Sequence, residues 1–197
     1  MFAQRARESA ANLGRKSTRG LATEDFQLLR TFLLAMAATQ ADIKLVIYPY
    51  HAQMLAMFED AGLWPLFEEW KAQLVLAIDA VRARYPDAHI SLTDFSGFGA
   101  YNCEPIPAAN ERSKATRWYW EAGHFKKALG DIVLRRVMSP QETASDDGQF
   151  GMPLDDASLE ANRARIAQER GSCAAAQPGL FARQLLAERH GHAGGRQ

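Results

Sequence analysis

Two short runs set the fold class: the β-branched-rich Ile43-Lys44-Leu45-Val46-Ile47-Tyr48, which reads as a buried strand, and a second strand from about Ala88 to Thr93. Pro49 ends the first, because proline cannot donate to a sheet ladder. Tyr85-Pro86-Asp87 makes the turn before the second. Between the runs, His51 to Asp60 reads as a short helix stopped near Gly62. Pro65 suits the first turn of a longer helix, whose apolar stripe is Leu66, Trp70, Leu74, Ala77, Ile78 and Val81. Strand, helix, strand with about forty residues between strand centres is the βαβ pattern of a parallel sheet, so the predicted class is α/β. Two strands alone do not make a stable parallel sheet. Either further strands exist, or the chain is part of a larger protein, or another chain completes the sheet.

The flanking segments read as helices and loops. Thr23 can cap a helix with Glu24 and Asp25 in its first turn and Phe26, Leu29, Phe32, Leu33 and Met36 at helical spacing. Asp94 to Thr116 is a long loop with glycines at 97 and 99 and prolines at 105 and 107, and such loops inside compact domains are often functional. Phe125, Ala128, Leu129, Ile132, Val133 and Val137 make another amphipathic helix, closed by Ser139-Pro140. Asp155 or Asp156 can cap a last helix to about Arg170, with a thin stripe of Leu159 and Ile166. The predicted organisation is a basic, flexible segment over 1–20, an α/β domain over 21–140, and a linker, weak helix and loose tail over 141–197.

Composition narrows the function classes. Lys+Arg and Asp+Glu both number 23, so no net charge draws the chain to nucleic acid or to anionic membrane. No apolar run approaches the roughly 18 residues of a membrane span, and no apolar stretch of a secretory signal follows the basic start. The two cysteines, Cys103 and Cys173, cannot supply a zinc site alone, and two free or buried thiols are a simpler expectation than a disulfide. No cofactor or metal is expected.

The chemistry-bearing segment is Trp120-Glu121-Ala122-Gly123-His124-Phe125. In a general-base pair a histidine takes the proton of a nucleophile while a carboxylate fixes its tautomer. Glu121 and His124 fit this if a turn folds one side chain over the other; the alternative is a surface acid beside a histidine at a helix start. No convincing nucleophile accompanies them. Ser96 sits in a glycine-bearing turn past a strand, at the sheet end where α/β proteins bind ligands. It lacks the tight elbow of a nucleophile, and Asp94 and Ser96 are expected to bond the loop's own backbone. His51, beside Tyr48 and Tyr50, either lines the same crevice or is a first-turn helix residue on a polar rim. Glu104, Arg112 and Arg117 either hold an acidic group or lie on a solvated loop. Trp118 and Trp120, flanking Tyr119, are either a core wedge or a sugar platform.

The strand followed by Asp94-Phe95-Ser96-Gly97, the long loop, Arg117-Trp118-Tyr119-Trp120-Glu121-Ala122-Gly123-His124-Phe125, and Leu129-Gly130 in a helix resemble the C-terminal part of SGNH/GDSL-type hydrolases. The nearest likeness is the uncharacterised bacterial branch related to polysaccharide O-acetyltransferases, and Tyr48-Pro49-Tyr50-His51 also looks like this branch. The resemblance covers roughly residues 40–140. It implies a three-layer sandwich, here incomplete, with a short parallel sheet and flanking helices. It implies that His124 is the general base and that Glu121, where Asp is usual, is its orienting acid. Tyr50, His51, Ser96 and Arg117 become candidate substrate-binding residues. The implied substrate is an acyl ester or an O-acetylated polysaccharide. The superfamily's Gly-Asp-Ser segment is absent, so the expectation is an esterase or O-acyltransferase part that is inactive alone. The alternative is a non-catalytic binding or scaffold domain whose sheet a partner chain or a second copy completes. Relatives in this branch often lie outside the cytoplasm.

Overall fold

The structure, a computed structural model, describes residues 24–107, 115–139 and 150–181. In chain order the elements are α1 (Glu24–Ala38), β1 (Ile43–Ile47), α2 (Ala52–Asp60), α3 (Trp64–Arg84) and β2 (Ile90–Asp94). There follow β3 (Tyr119–Glu121), β4 (His124–Phe125), α4 (Lys127–Met138), β5 (Met152–Pro153), α5 (Leu159–Ala176) and a 3₁₀ turn at Pro178–Leu180. The expected cap Thr23, the basic segment 1–20 and the tail beyond Phe181 lie outside the described residues.

The two predicted strands pair in parallel, in register from Ile43 opposite Ile90 to Ile47 opposite Asp94. Strand alternation sends Ile43, Ile47, Ile90 and Leu92 to one face. There they meet Leu33 and Ala37 of α1 and Leu74, Val75, Ile78 and Val81 of α3 in one buried cluster. Val46 and Ser91, on the opposite face, are exposed. The class is therefore α/β, with helices and a small mixed sheet. A third strand, unpredicted because it is two residues long, pairs antiparallel with β2: Thr93 with Pro153 and Asp94 with Met152. The order is β1-β2-β5, so the outer edge of β1 pairs with no strand among the described residues. Gly151 leads into β5 with φ +87°, and a Cβ there would overlap the Phe95 ring, 2.7 Å from its Cζ.

The C-terminal helix departs from the expectation of a weak appendage. Its apolar stripe is thin, but polar bonds fasten it to the exit of β2. Asn162 Nδ2 donates to Asp94 Oδ2 at 2.7 Å, Arg165 Nη2 donates to the Ser96 carbonyl at 3.1 Å, and Glu169 Oε2 accepts the Phe98 N–H at 3.0 Å. Arg170 pairs with Glu59 of α2 at 2.6 Å. Asp94 also pairs at 3.0 Å with Lys71 of α3; both side chains are fully buried. Ile166 and Cys173 join Met54, Leu55, Phe58, Phe98 and Leu180 in a second buried cluster.

Two expectations are corrected here. The last helix continues past Arg170 to Ala176. The cysteines are not free thiols: Cys103 and Cys173 form a disulfide, with Cα atoms 5.8 Å apart. They are separated by 70 residues in sequence, and folding of α5 against the 95–107 loop removes that separation in space.

Candidate functional site

The exit of β1 organises the surroundings of the predicted acid–histidine pair. Beyond Pro49 the chain turns into α2, and three contacts from this turn hold the β3–β4 hairpin. The His51 N–H donates to the Ala122 carbonyl at 3.1 Å, Tyr119 Oη donates to the Pro49 carbonyl at 2.9 Å, and the Phe125 N–H points at Tyr48 Oη at 3.4 Å. The Tyr48 ring stacks on Phe125, 4.9 Å between centroids. From the far side, Glu104 holds the hairpin's approach: its carboxylate accepts the N–H groups of Arg117 and Trp118, the latter at 2.9 Å.

Within this frame Glu121 and His124 face each other across the hairpin. His124 Nδ1 is hydrogen-bonded to Glu121 Oε1. The other carboxylate oxygen accepts the Gly123 N–H at 3.0 Å, which fixes the acid in place. Glu121 is buried, whereas 77% of the His124 side chain is exposed. A carboxylate only accepts, so Nδ1 carries the proton of the neutral ring and Nε2 keeps a lone pair. The pair sits on a hairpin and not at a helix start, because Lys126 and not His124 precedes α4.

The remaining predicted residues separate. Tyr50 is half-buried at the strand exit, its ring 5.0 Å from that of Tyr48. Burial pushes its hydroxyl pKa up. Tyr48, which sequence reading did not name as a site residue, lies between Tyr50 and the pair. Burial raises its hydroxyl pKa first, and the charges of Tyr50 and Glu121 add to this against the Phe125 N–H. Arg117 is exposed, its guanidinium 4.2 Å over the Trp118 ring.

His51 is not on a crevice or a polar rim. It is fully buried; Nδ1 accepts the Gln53 N–H at 3.1 Å as the cap of α2, and Nε2 donates to the Glu104 carbonyl at 2.8 Å. Burial lowers its pKa to about 4, against the smaller opposing effect of the Glu104 carbonyl. Ser96 is 1% exposed and no hydrogen bond joins it to His124. Its N–H donates to Asp94 Oδ1 at 2.8 Å, the local loop bond expected from sequence. Its Oγ is buried without a partner among the described residues, so Ser96 cannot meet substrate in this conformation.

No family model, curated protein or solved structure matches this chain.

A broad cleft of about 1470 Å³ lies elsewhere, between the 95–103 loop and α5. Neither Glu121 nor His124 lines it, and of its charged residues Arg136, Arg165 and Glu169 the last two pair with each other at 2.6 Å. Among the described residues no group of three or more His, Cys, Asp and Glu side chains is placed to hold a metal. No described helix is long and apolar enough to cross a membrane.

Proposed function

We propose that this chain supplies the acid–histidine half of an SGNH-like acyl-transfer site, as the C-terminal part of an esterase or O-acyltransferase. The single observation behind this reading is the bond from Glu121 to His124 Nδ1, with the imidazole otherwise open to solvent. In that state Nε2 can accept a proton from a serine hydroxyl, and the buried carboxylate would stabilise the resulting imidazolium. The serine would come from a segment bearing Gly-Asp-Ser, outside this sequence. The substrate would be an acyl ester, such as an O-acetylated polysaccharide.

Aryl-acetate hydrolysis tests the reading. The chain alone should be no faster than its His124→Ala variant. Co-expressed with a polypeptide that carries the Gly-Asp-Ser segment, it should turn over the ester, and His124→Ala should lower that rate by about 10²–10⁴-fold. A reconstituted rate indifferent to His124 would refute the proposal. A His124-dependent rate in the chain alone would place the nucleophile within it.

One observation favours a second reading, a scaffold domain completed by a partner. The outer edge of β1 pairs with no strand among the described residues, and an open edge is a template for another chain. A dimer in solution that loses its contact when Val46→Pro is introduced, at a backbone N–H that faces away from β2, would support it; a monodisperse monomer would oppose it.

A further inference from the structure

We infer that the Cys103–Cys173 disulfide is a redox latch. A dithiol entering the cleft beside it opens the bond, releases the C-terminal end of α5 and uncovers apolar side chains of α2. The latch does not depend on the acyl-transfer reading, because neither Glu121 nor His124 takes part in it.

The bond lies where a reductant can reach it. Cys103 and Cys173 both line the broad cleft between the 95–103 loop and α5. Cys173 is buried and Cys103 only half-buried, so Cys103 Sγ is the sulfur to attack. A thiolate of the dithiol bonds to it and expels the Cys173 thiolate, which takes up a proton. The reductant's second thiol, as its thiolate, then displaces Cys103 from the mixed disulfide, and the Cys103 thiolate is protonated in turn. The reductant leaves as a disulfide, having given the chain two electrons and two protons.

The two ends of the bond are held differently. On the Cys103 side, hydrogen bonds fix the chain without it. The Cys103 N–H donates to the Gly99 carbonyl at 2.8 Å, and the Asn102 carbonyl accepts the Ala52 N–H at 2.7 Å. Asn102 Nδ2 donates to the Tyr50 carbonyl at 3.0 Å, and the Glu104 carbonyl accepts from His51 Nε2 at 2.8 Å. On the Cys173 side little else holds. The last polar tie from α5 to the elements before it is Arg170 to Glu59. Beyond it run Gly171-Ser172-Cys173-Ala174-Ala175-Ala176, with no large apolar side chain and a poor helix former at their head. Among the described residues no hydrogen bond or ion pair joins 171–176 to any residue before α5.

What this end covers is apolar. Cys173 and Leu180 share the second buried cluster with Leu55 and Phe58 of α2 and with Phe98. The Phe181 ring lies 5.7 Å from that of Phe98. A helix end fastened by one cross-link and a few apolar contacts belongs to the part of a fold that opens locally. Cutting the cross-link therefore frees α5 beyond Arg170 and leaves the 99–104 loop in place.

Reduction of the folded chain by dithiothreitol, without denaturant, tests the inference. Alkylation followed by mass measurement should count two new thiols. In amide ¹H–¹⁵N spectra, residues 171–181 should shift towards random-coil positions, while β1, β2 and the β3–β4 hairpin keep theirs. A dye that fluoresces on apolar surface should brighten with the reduced parent. The Cys103→Ser/Cys173→Ser double variant should give the reduced pattern with or without dithiothreitol. The latch is refuted if no thiols appear without denaturant, or if residues 171–181 or the dye signal stay unchanged after reduction. It is equally refuted if native shifts are lost throughout the chain, or if the double variant keeps the pattern of the oxidised parent.

Discussion

Single side chains carry both the proposed chemistry and much of the stability. The two histidines near the exit of β1 look alike in sequence, and burial divides their roles. His124 keeps one nitrogen in solvent; His51 spends both on the protein. This gives His51 a signed pH effect. Above about pH 6.5 both folded and unfolded chains hold it neutral, so it contributes no pH dependence there. As pH falls from 6.5 towards about 4, the unfolded chain binds a proton that the folded chain refuses, and stability declines. The gap corresponds to about 3 kcal/mol, at about 1.4 kcal/mol per pH unit. Below about pH 4, protonation also removes the Nδ1 acceptor that caps α2. Urea unfolding between pH 7.5 and 4.5 should show this loss, and His51→Asn, which retains a capping acceptor, should show less of it. An identical pH slope in the variant would contradict the assignment. Lys71 makes a second prediction at this scale. Removing it leaves Asp94 charged and buried beside only neutral partners, so Lys71→Met should destabilise by about 3–5 kcal/mol in the same assay.

At the level of elements, long-range contacts decide what sequence could and could not show. β1 and β2 were legible as short apolar runs bounded by Pro49 and the Tyr85-Pro86-Asp87 turn, and α1, α3 and α4 because their apolar residues recur at helical spacing. The Glu121–His124 bond was legible because a hairpin brings residues three apart together. β5 was illegible: two residues have no periodicity. The importance of α5 was illegible because its attachments are polar side chains reaching across about seventy residues of chain, as Asn162 to Asp94 and Arg165 to Ser96 do. Neither alternative for Glu104, a group that holds an acidic ligand or a solvated loop residue, anticipates its clamp on the N–H groups that lead into β3, for the same reason. The disulfide is the strongest of these distant links. Closing a loop of 70 residues is worth about 4 kcal/mol in the chain-entropy model. Cys173→Ser should therefore lower the urea midpoint by a corresponding amount. The unfolded, unreduced parent should titrate no thiol; two titratable thiols would contradict the pairing.

At the scale of the molecule, the fold brings the β3–β4 hairpin to the C-terminal ends of parallel strands, where α/β proteins bind ligands. The hairpin is held from beneath by the Pro49–His51 turn and from one side by the loop that the disulfide ties to α5. That framework orients an acid and an imidazole but brings Ser96 to neither, so the isolated chain should leave an aryl acetate untouched at any rate that depends on His124. The state of one ring, that of His124, decides whether the pair can act as proposed. The ¹⁵N chemical shifts of His124 in the folded chain near neutral pH, recorded for the parent and for Glu121→Ala, measure it most directly. The neutral ring should hold its proton on Nδ1 in the parent and shift it towards Nε2 when the carboxylate is removed. A ring protonated on Nε2 in both proteins would contradict the claim that Glu121 sets His124 up as a base.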